Sequence, residues 1–278
     1  MGFLELVKVI ILGIVEGVTE WLPISSTGHM ILFESWLNVE KTMRPEFMEM
    51  FRVVIQLGAI MAVVVLYWKK IFPFKIKKEE SLQIMVSKKT MVLWSKILIA
   101  CIPAGVIGIL FDDKLDEIFY GKLPVAITLV LYGILFIVIE NYMKGKRPKI
   151  TKLSQLDYRT AVIIGVFQLL ALIPGTSRSG ATIVGALLIG VSRVVVSEFT
   201  FFLAIPIMFG ASLLKIVKFG LDFQSGELGL LVIGMTVAFI ISVFAIKFLM
   251  GYIRKHDFKV FGWYRIALGV IVLISFLL

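Results

Sequence analysis

The stretch LGLLVIGMTVAFIISVFAIKFLM, Leu228–Met250, carries one charged residue, Lys247, close to its end. A helix needs roughly 20 predominantly apolar residues to cross the hydrocarbon core of a bilayer, and this stretch is long enough to do so. It does not alternate apolar and polar residues with period two, as the strand of a membrane barrel would. Comparable runs stand at Val53–Trp68, Met91–Leu110, Val125–Tyr142 and Val260–Leu278. Over 278 residues the chain is 59% hydrophobic and 17% charged, with a mean hydropathy of +0.97, which excludes an ordinary soluble domain. The expected fold is all-α: a polytopic membrane helical bundle.

The remaining bulk properties narrow the class. Met1–Val15 is apolar, but Glu5, Lys8 and the following Glu16 interrupt it and no small-residue cleavage site follows, so it is expected to be retained rather than removed as a secretory signal. Cys101, the single cysteine, can form neither an intramolecular disulfide nor a metal cluster and is expected to pack between helices. A net charge of +10 would suit nucleic acid only if it gathered on one soluble face. It sits instead in short loops beside apolar runs, so no nucleic-acid partner is expected and the excess of Lys and Arg on cytoplasmic loops accounts for it. Lys69, Lys70, Lys75, Lys77, Lys78, Lys88 and Lys89 mark one cytoplasmic loop, and Lys144, Lys146, Arg147, Lys149 and Lys152 another. Asp112, Asp113, Asp116 and Glu117 lie between them on the outside, while Arg193 and Arg254-Lys255-His256 return to the cytoplasm.

Two stretches break this alternation. Leu4–Phe33 and Ala161–Val191 are too long for one crossing and too short for two with a turn, and each holds a polar, proline-bearing interruption. Both are expected to be re-entrant helix hairpins entering from opposite faces. They also resemble one another: Gly13-Ile14-Val15-Glu16 parallels Gly165-Val166-Phe167-Gln168, and Pro23-Ile24-Ser25-Ser26 parallels Pro174-Gly175-Thr176-Ser177. Weak internal symmetry of opposite orientation is the mark of inverted-topology repeats, whose broken helices meet near the midplane. The chain is therefore expected to be a single integral membrane domain of two repeats, about residues 1–143 and about residues 155–278. Non-helical backbone at that depth must line a cavity or be buried in protein.

The first interruption brings acid–base groups. Glu16 and Glu20 stand four apart and project from one face of an apolar helix. A close carboxylate pair at membrane depth is costly unless it shares a proton or binds a cation, and such groups are usually functional. The plainer alternative is helix packing through Gly13 and Gly17, with both acids hydrogen-bonded to neighbours. Pro23 ends the helix, and Ser25, Ser26 and Thr27 are natural N-caps for the next, whose free N–H groups and dipole make an anion site. One hydroxyl would suffice for capping, and here three are followed by Gly28 and His29. The second interruption, Pro174–Gly180, adds Arg178 among Thr176, Ser177, Ser179 and Gly180. An intramembrane Arg is expensive unless paired, and its planar fork suits phosphate or carboxylate. An internal salt bridge to Glu16 or Glu20 is the alternative use.

At these positions the chain resembles the bacterial undecaprenyl-diphosphatase family, also called the bacitracin-resistance protein family. The similarity runs through Glu16–His29, Ile55–Ile60, Pro174–Ile183, Val191-Ser192-Arg193 and Ser197-Glu198-Phe199, and covers essentially the whole chain. It implies a hydrolase of the bacterial cytoplasmic membrane that converts a polyprenyl diphosphate to its monophosphate and phosphate. It also implies a divalent cation, Mg or Ca, and a site open to the external face. This would recycle the lipid carrier of cell-wall synthesis and confer bacitracin resistance. One departure is visible, because Arg52 stands where the family usually has an acid.

The expected division of roles follows. Glu16 and Glu20 hold the cation, and Ser26 attacks with His29 or Glu20 taking its proton, or else water activated by the carboxylates attacks. Arg178 clamps the diphosphate together with Ser25, Thr27 and Gly28 of one tip and Thr176, Ser177, Ser179 and Gly180 of the other. A lipid-phosphate carrier on the same inverted repeat is the alternative from another class. The Gly13/Gly17 spacing fits homodimer contacts and internal packing equally well.

Overall fold

The computed structural model describes residues 2–79, 81–119, 121–220 and 222–277. The side chains of Lys75, Lys77, Lys78, Asp112, Asp113, Asp116 and Glu117, which mark two of the charged loops, lie outside the described residues. The described chain is helical nearly throughout: α1 (Phe3–Thr19), α2 (Ser26–Trp36), α3 (Pro45–Val54), α4 (Gln56–Leu66), a one-turn α5 (Trp68–Ile71), α6 (Lys88–Phe119), α7 (Lys122–Met143), α8 (Tyr158–Gln168), α9 (Arg178–Leu188), α10 (Arg193–Phe219), α11 (Glu227–Tyr252) and α12 (Lys259–Leu277). A two-stranded antiparallel hairpin, β1 (Phe74–Glu79) with β2 (Ser81–Val86), occupies the lysine-rich loop. Phe74-Lys75-Ile76-Lys77 and Ser81-Leu82-Gln83-Ile84 alternate apolar and polar residues with period two, a strand signal that reading the loop by its charge passed over.

Among the described residues five stretches are long and apolar enough to cross a membrane: Pro45–Leu66, Lys88–Phe111, Leu123–Met143, Arg193–Phe219 and Glu227–Tyr252. The first begins earlier than the apolar run from Val53 suggested, because α3 and α4 are joined through Ile55, which is itself helical in conformation. Ser212 on α10 donates to the Val53 carbonyl at 3.1 Å, occupying an acceptor beside the joint. By contrast α2 and α9 hold 11 residues each, or about 17 Å of helix at 1.5 Å per residue, too short to span a core of about 30 Å.

Lipid tails are as apolar as the helices they surround, so close backbone approach rather than hydrophobic burial draws membrane helices together. Gly13 and Gly17 of α1 lie against Gly234, Ala238 and Ile241 of α11, where a Cβ at Gly17 would meet the Ala238 carbonyl at 2.8 Å. The spacing that fitted either dimer or internal contacts is therefore occupied within the chain. Gly58 of α4 is pressed against the Met235 carbonyl of α11, and Gly165 of α8 against the Ala100 carbonyl of α6.

These packings form matching sets. If α1, α2, α3–α4, α6 and α7 are exchanged for α8, α9, α10, α11 and α12, then α1 on α11 becomes α8 on α6. Likewise α4 on α11 becomes α10 on α6, and α2 on α12 becomes α9 on α7; all six contacts exist. The exchanged partners α3–α4 and α10 run antiparallel, because Glu49 of α3, in the first half of the Pro45–Leu66 stretch, pairs with Lys215 near the end of α10 at 2.6 Å. At the other end, Lys70 just beyond α4 pairs with Glu198 near the start of α10 at 2.8 Å.

Candidate active site

Each broken helix turns through a left-handed serine. Ser25 has φ 72° and Ser177 φ 70°, a region that non-glycine residues enter at a cost and that clusters at functional sites. Each then caps the helix it precedes: Ser25 Oγ accepts from the Gly28 N–H at 3.4 Å, and Ser177 Oγ from the Gly180 N–H at 3.3 Å. Capping thus falls to one hydroxyl per tip, which leaves the other hydroxyls of each tip free of that duty.

Ser26 uses that freedom to donate to Glu20 Oε2 at 2.7 Å. The other oxygen of Glu20 accepts from Arg178 Nη2 at 3.0 Å, and Arg178 Nη1 donates to the Thr200 carbonyl at 2.7 Å. A chain Ser26–Glu20–Arg178 therefore joins the two tips. The salt bridge weighed as an alternative use of Arg178 is present, and its partner is Glu20. It does not exhaust the groups, since Arg178 Nε is buried without a partner. Glu16, one turn back on α1, is 1% exposed, and its Oε1 likewise has no partner. Trp21 lies under Arg178 with the guanidinium carbon 5.9 Å from the ring centre, and Phe201 meets the Trp21 ring edge-on.

His29 is near but turned away. Its Nδ1 lies 2.7 Å from the Ser25 carbonyl and its Nε2 2.7 Å from the Tyr264 hydroxyl. A carbonyl accepts only, so Nδ1 carries a proton. Of the two bases expected for Ser26, Glu20 is the one in contact with it.

The second tip holds Thr176, which is buried with an unpartnered hydroxyl, and Ser177 and Ser179, whose hydroxyls lie 3.0 Å apart. Gly175 has φ +88° and is pressed by Thr128 Oγ1, which also donates to the Pro174 carbonyl at 2.8 Å. Any Cβ at Gly175 would displace that hydroxyl. Gln168, the residue matched to Glu16 by the internal repeat, is buried with both amide atoms unpartnered.

Arg265 is the functional candidate that sequence reasoning passed over. It is fully buried on α12, and its Nη2 donates to the carbonyls of Gly175 at 2.8 Å and Thr176 at 2.9 Å, while Nη1 reaches the Pro23 carbonyl at 3.3 Å. One guanidinium thus ties both interruptions together. Its neighbour Tyr264 orients His29. Buried polar atoms without partners are uncommon in folded proteins, and Glu16, Trp21, Thr176 and Arg178 each present one around this cluster.

A cavity of about 1020 Å³ leads from Glu16 and Thr27 past Met30, Ile31 and Met48 to a rim bearing Glu40, Glu46 and Glu49. On its wall Arg52 forks onto both oxygens of Glu34 at 2.6–2.9 Å. Arg52 is therefore matched by a carboxylate beside it. Thr27 is exposed to the cavity, whereas Gly28 is buried and approaches Leu129 closely.

The fold and this cluster define a class: a multi-pass membrane protein in which two broken-helix tips bring carboxylate, hydroxyl and guanidinium groups together beside a cavity lined by Glu16 and Thr27. Within that class the chain belongs to the bacitracin resistance protein BacA family, which matches residues 9–271. It is similar to the undecaprenyl-diphosphatase of Desulfitobacterium hafniense, 63% identical over 277 residues, or 99% of this chain and 98% of the relative. It is also similar to the undecaprenyl-diphosphatase of Acetivibrio thermocellus, 62% identical over 274 residues (99% and 98%). A third, from Enterococcus faecalis, is 60% identical over 274 residues with the same shares covered.

Proposed function

We propose that the chain is a membrane-embedded phosphatase that hydrolyses undecaprenyl diphosphate to undecaprenyl phosphate and inorganic phosphate. By this activity it recycles the lipid carrier of peptidoglycan synthesis and confers resistance to bacitracin. It works in a bacterial cytoplasmic membrane, with the cavity opening to the external face. The observation that carries this is the Ser26–Glu20–Arg178 chain across two helix N-termini. It sets a hydroxyl, a proton acceptor and a cation side by side, which a pure carrier does not need. The matching packings and the antiparallel α3–α4 and α10 support inverted repeats with α2 and α9 re-entrant.

Phosphoryl transfer asks mainly for positioning and charge stabilisation. The Arg178 fork, the Thr176 hydroxyl and the N–H groups opening α2 and α9 hold the diphosphate oxygens. As the anion takes Arg178, Glu20 is released from its ion pair and keeps its contact with the Ser26 hydroxyl. Ser26 Oγ then attacks the terminal phosphorus in line, its proton passes to Glu20, and the P–O bond to the lipid phosphate breaks. Glu20 passes that proton to the departing lipid phosphate; water then attacks the phosphoserine and gives a proton to Glu20, which returns it to Ser26 Oγ as the P–O bond to Ser26 breaks and phosphate leaves. The orphaned Glu16 oxygen beside a second carboxylate fits a hard divalent cation such as Mg or Ca. Glu16 and Glu20 would hold that ion, and it would supply charge neutralisation of the phosphates.

Purified protein in detergent should release phosphate from undecaprenyl diphosphate, and a protein that only carries lipid would release none. Ser26→Ala and Arg178→Ala should each lower kcat by at least about 10³-fold, the scale lost with a nucleophile or a charge-stabilising donor. Single turnover of wild type should trap phosphate on Ser26. Full activity of either variant refutes the assignment, and turnover without any trapped intermediate transfers the attack from Ser26 to water.

A further inference from the structure

A second polar pocket lies at the far ends of the same helices. Val53 and Gln56 of α3–α4 and Lys215 of α10 line the catalytic cavity, whereas Leu66 at the other end of α4 and Glu198 at the start of α10 line a separate cavity of about 610 Å³. Both helical stretches are long enough to span the bilayer, so the two cavities open on opposite membrane faces.

The chemistry of this second cavity is cationic and interfacial. Lys69, Lys70, Lys247 and Arg254 line it against a single acid, Glu198. Lys70 takes both oxygens of that acid at 2.8 Å. Lys69, Lys247 and Arg254 make no ion pair with the described residues. Trp68 and Val65, about half exposed, give the cavity an apolar lip. Tyr67 and Trp68 also stand where aromatic side chains settle at the headgroup level.

We propose that this pocket binds the headgroup phosphate of an anionic phospholipid, with its tails along the Val65–Trp68 lip. Basic pockets between membrane helices suit such a phosphate. The apolar lip favours a lipid over a soluble anion. A zwitterionic lipid would bring an ammonium group for which no lining acid is free, because Lys70 already holds Glu198.

Lipid retention by the full chain, followed by native mass spectrometry from micelles doped with phosphatidylglycerol or phosphatidylcholine, tests this. Wild type should retain phosphatidylglycerol selectively, and millimolar inorganic phosphate should not displace it. The double variant Lys247→Gln/Arg254→Gln should weaken retention about thirtyfold, each interfacial charge being worth about fivefold, while phosphate release continues. Lys144→Gln/Arg147→Gln removes the same charge from another loop of that face and should leave retention unchanged. The Arg193–Glu140 pair places that loop on this side, since it joins the start of α10 to the end of α7. Equal losses in the two double variants, or full displacement by inorganic phosphate, overturn the proposal. Should the first double variant not fold, Lys247→Gln alone decides the matter: about a fivefold loss of retention supports the site, and unchanged retention overturns it.

Discussion

Arg265 offers the sharpest test, because stability and activity should respond to its loss differently. Replacing it by Met keeps most of the volume and removes the fork that holds Gly175 and Thr176 at 2.8 and 2.9 Å and Pro23 at 3.3 Å. Two short bonds from a charged donor are worth about 1.5–3 kcal/mol each, so about 3–6 kcal/mol of cohesion between the tips is lost. Against this, a fully buried cation without a carboxylate partner carries a desolvation cost of several kcal/mol, which its removal returns. The net change in unfolding free energy should therefore be small, about 2 kcal/mol or less. The tips, no longer tied, should shift relative to each other, and misplacement by about 1 Å costs about 10²-fold in rate. Thermal unfolding in detergent beside kcat and KM for phosphate release reads both quantities. Arg265→Met should melt near wild type with kcat down about 100-fold, and Arg265→Lys should recover part of that. Wild-type kcat in Arg265→Met, or a rate loss explained wholly by unfolded protein, refutes the role.

Gly58→Val should lower stability by about 1–3 kcal/mol, because its side chain must displace the Met235 backbone and separate α4 from α11. Gly105→Ala, with nothing within 4 Å of the new methyl, should melt like wild type and serves as the control in the same assay. Glu140, buried near the end of α7, holds both Arg193 and the Phe258 N–H. Glu140→Ala should cost about 3 kcal/mol in the same melt, the low end for a broken pair since Arg193 can turn to water. An unchanged melting temperature there would mean that the pair contributes nothing to joining α7, α10 and the start of α12.

Much of this arrangement was legible from local sequence, and the limits of that legibility are physical. Pro23 and Pro174 inside apolar stretches give the helix breaks, because proline removes a donor and clashes with the preceding turn. Gly13 and Gly17 give a close helix contact but not its partner, since α11 meets them only through the tertiary fold. Arg178 stands in a polar motif and was conspicuous. Arg265 stands alone in the apolar run Val260–Leu278, and the reasoning that an intramembrane Arg needs a partner applied equally to it. Its partners are carbonyls, which no side-chain pattern announces. Glu140 was hidden likewise within Val125–Tyr142. The choice between His29 and Glu20 as partner of Ser26 depended on ring orientation, set by Tyr264 at a sequence separation of 235. The β1–β2 hairpin did show a period of two, over only four residues in each strand, and the lysines of the loop drew the reading to charge instead.

The two serine turns share a positive φ near 70° and the same capping bond, yet their chemistry is unlike. Ser25 matches Ser177, so by the same offset Glu20 matches Leu172 and Arg178 matches Ser26. Had both tips carried the same residues, a leucine would face Arg178, or a serine Glu20, where the ion pair now stands at 3.0 Å, and no charge would join the halves. The cleft can therefore close only because its two sides have diverged, and a mutation that makes one side a better copy of the other should spread them.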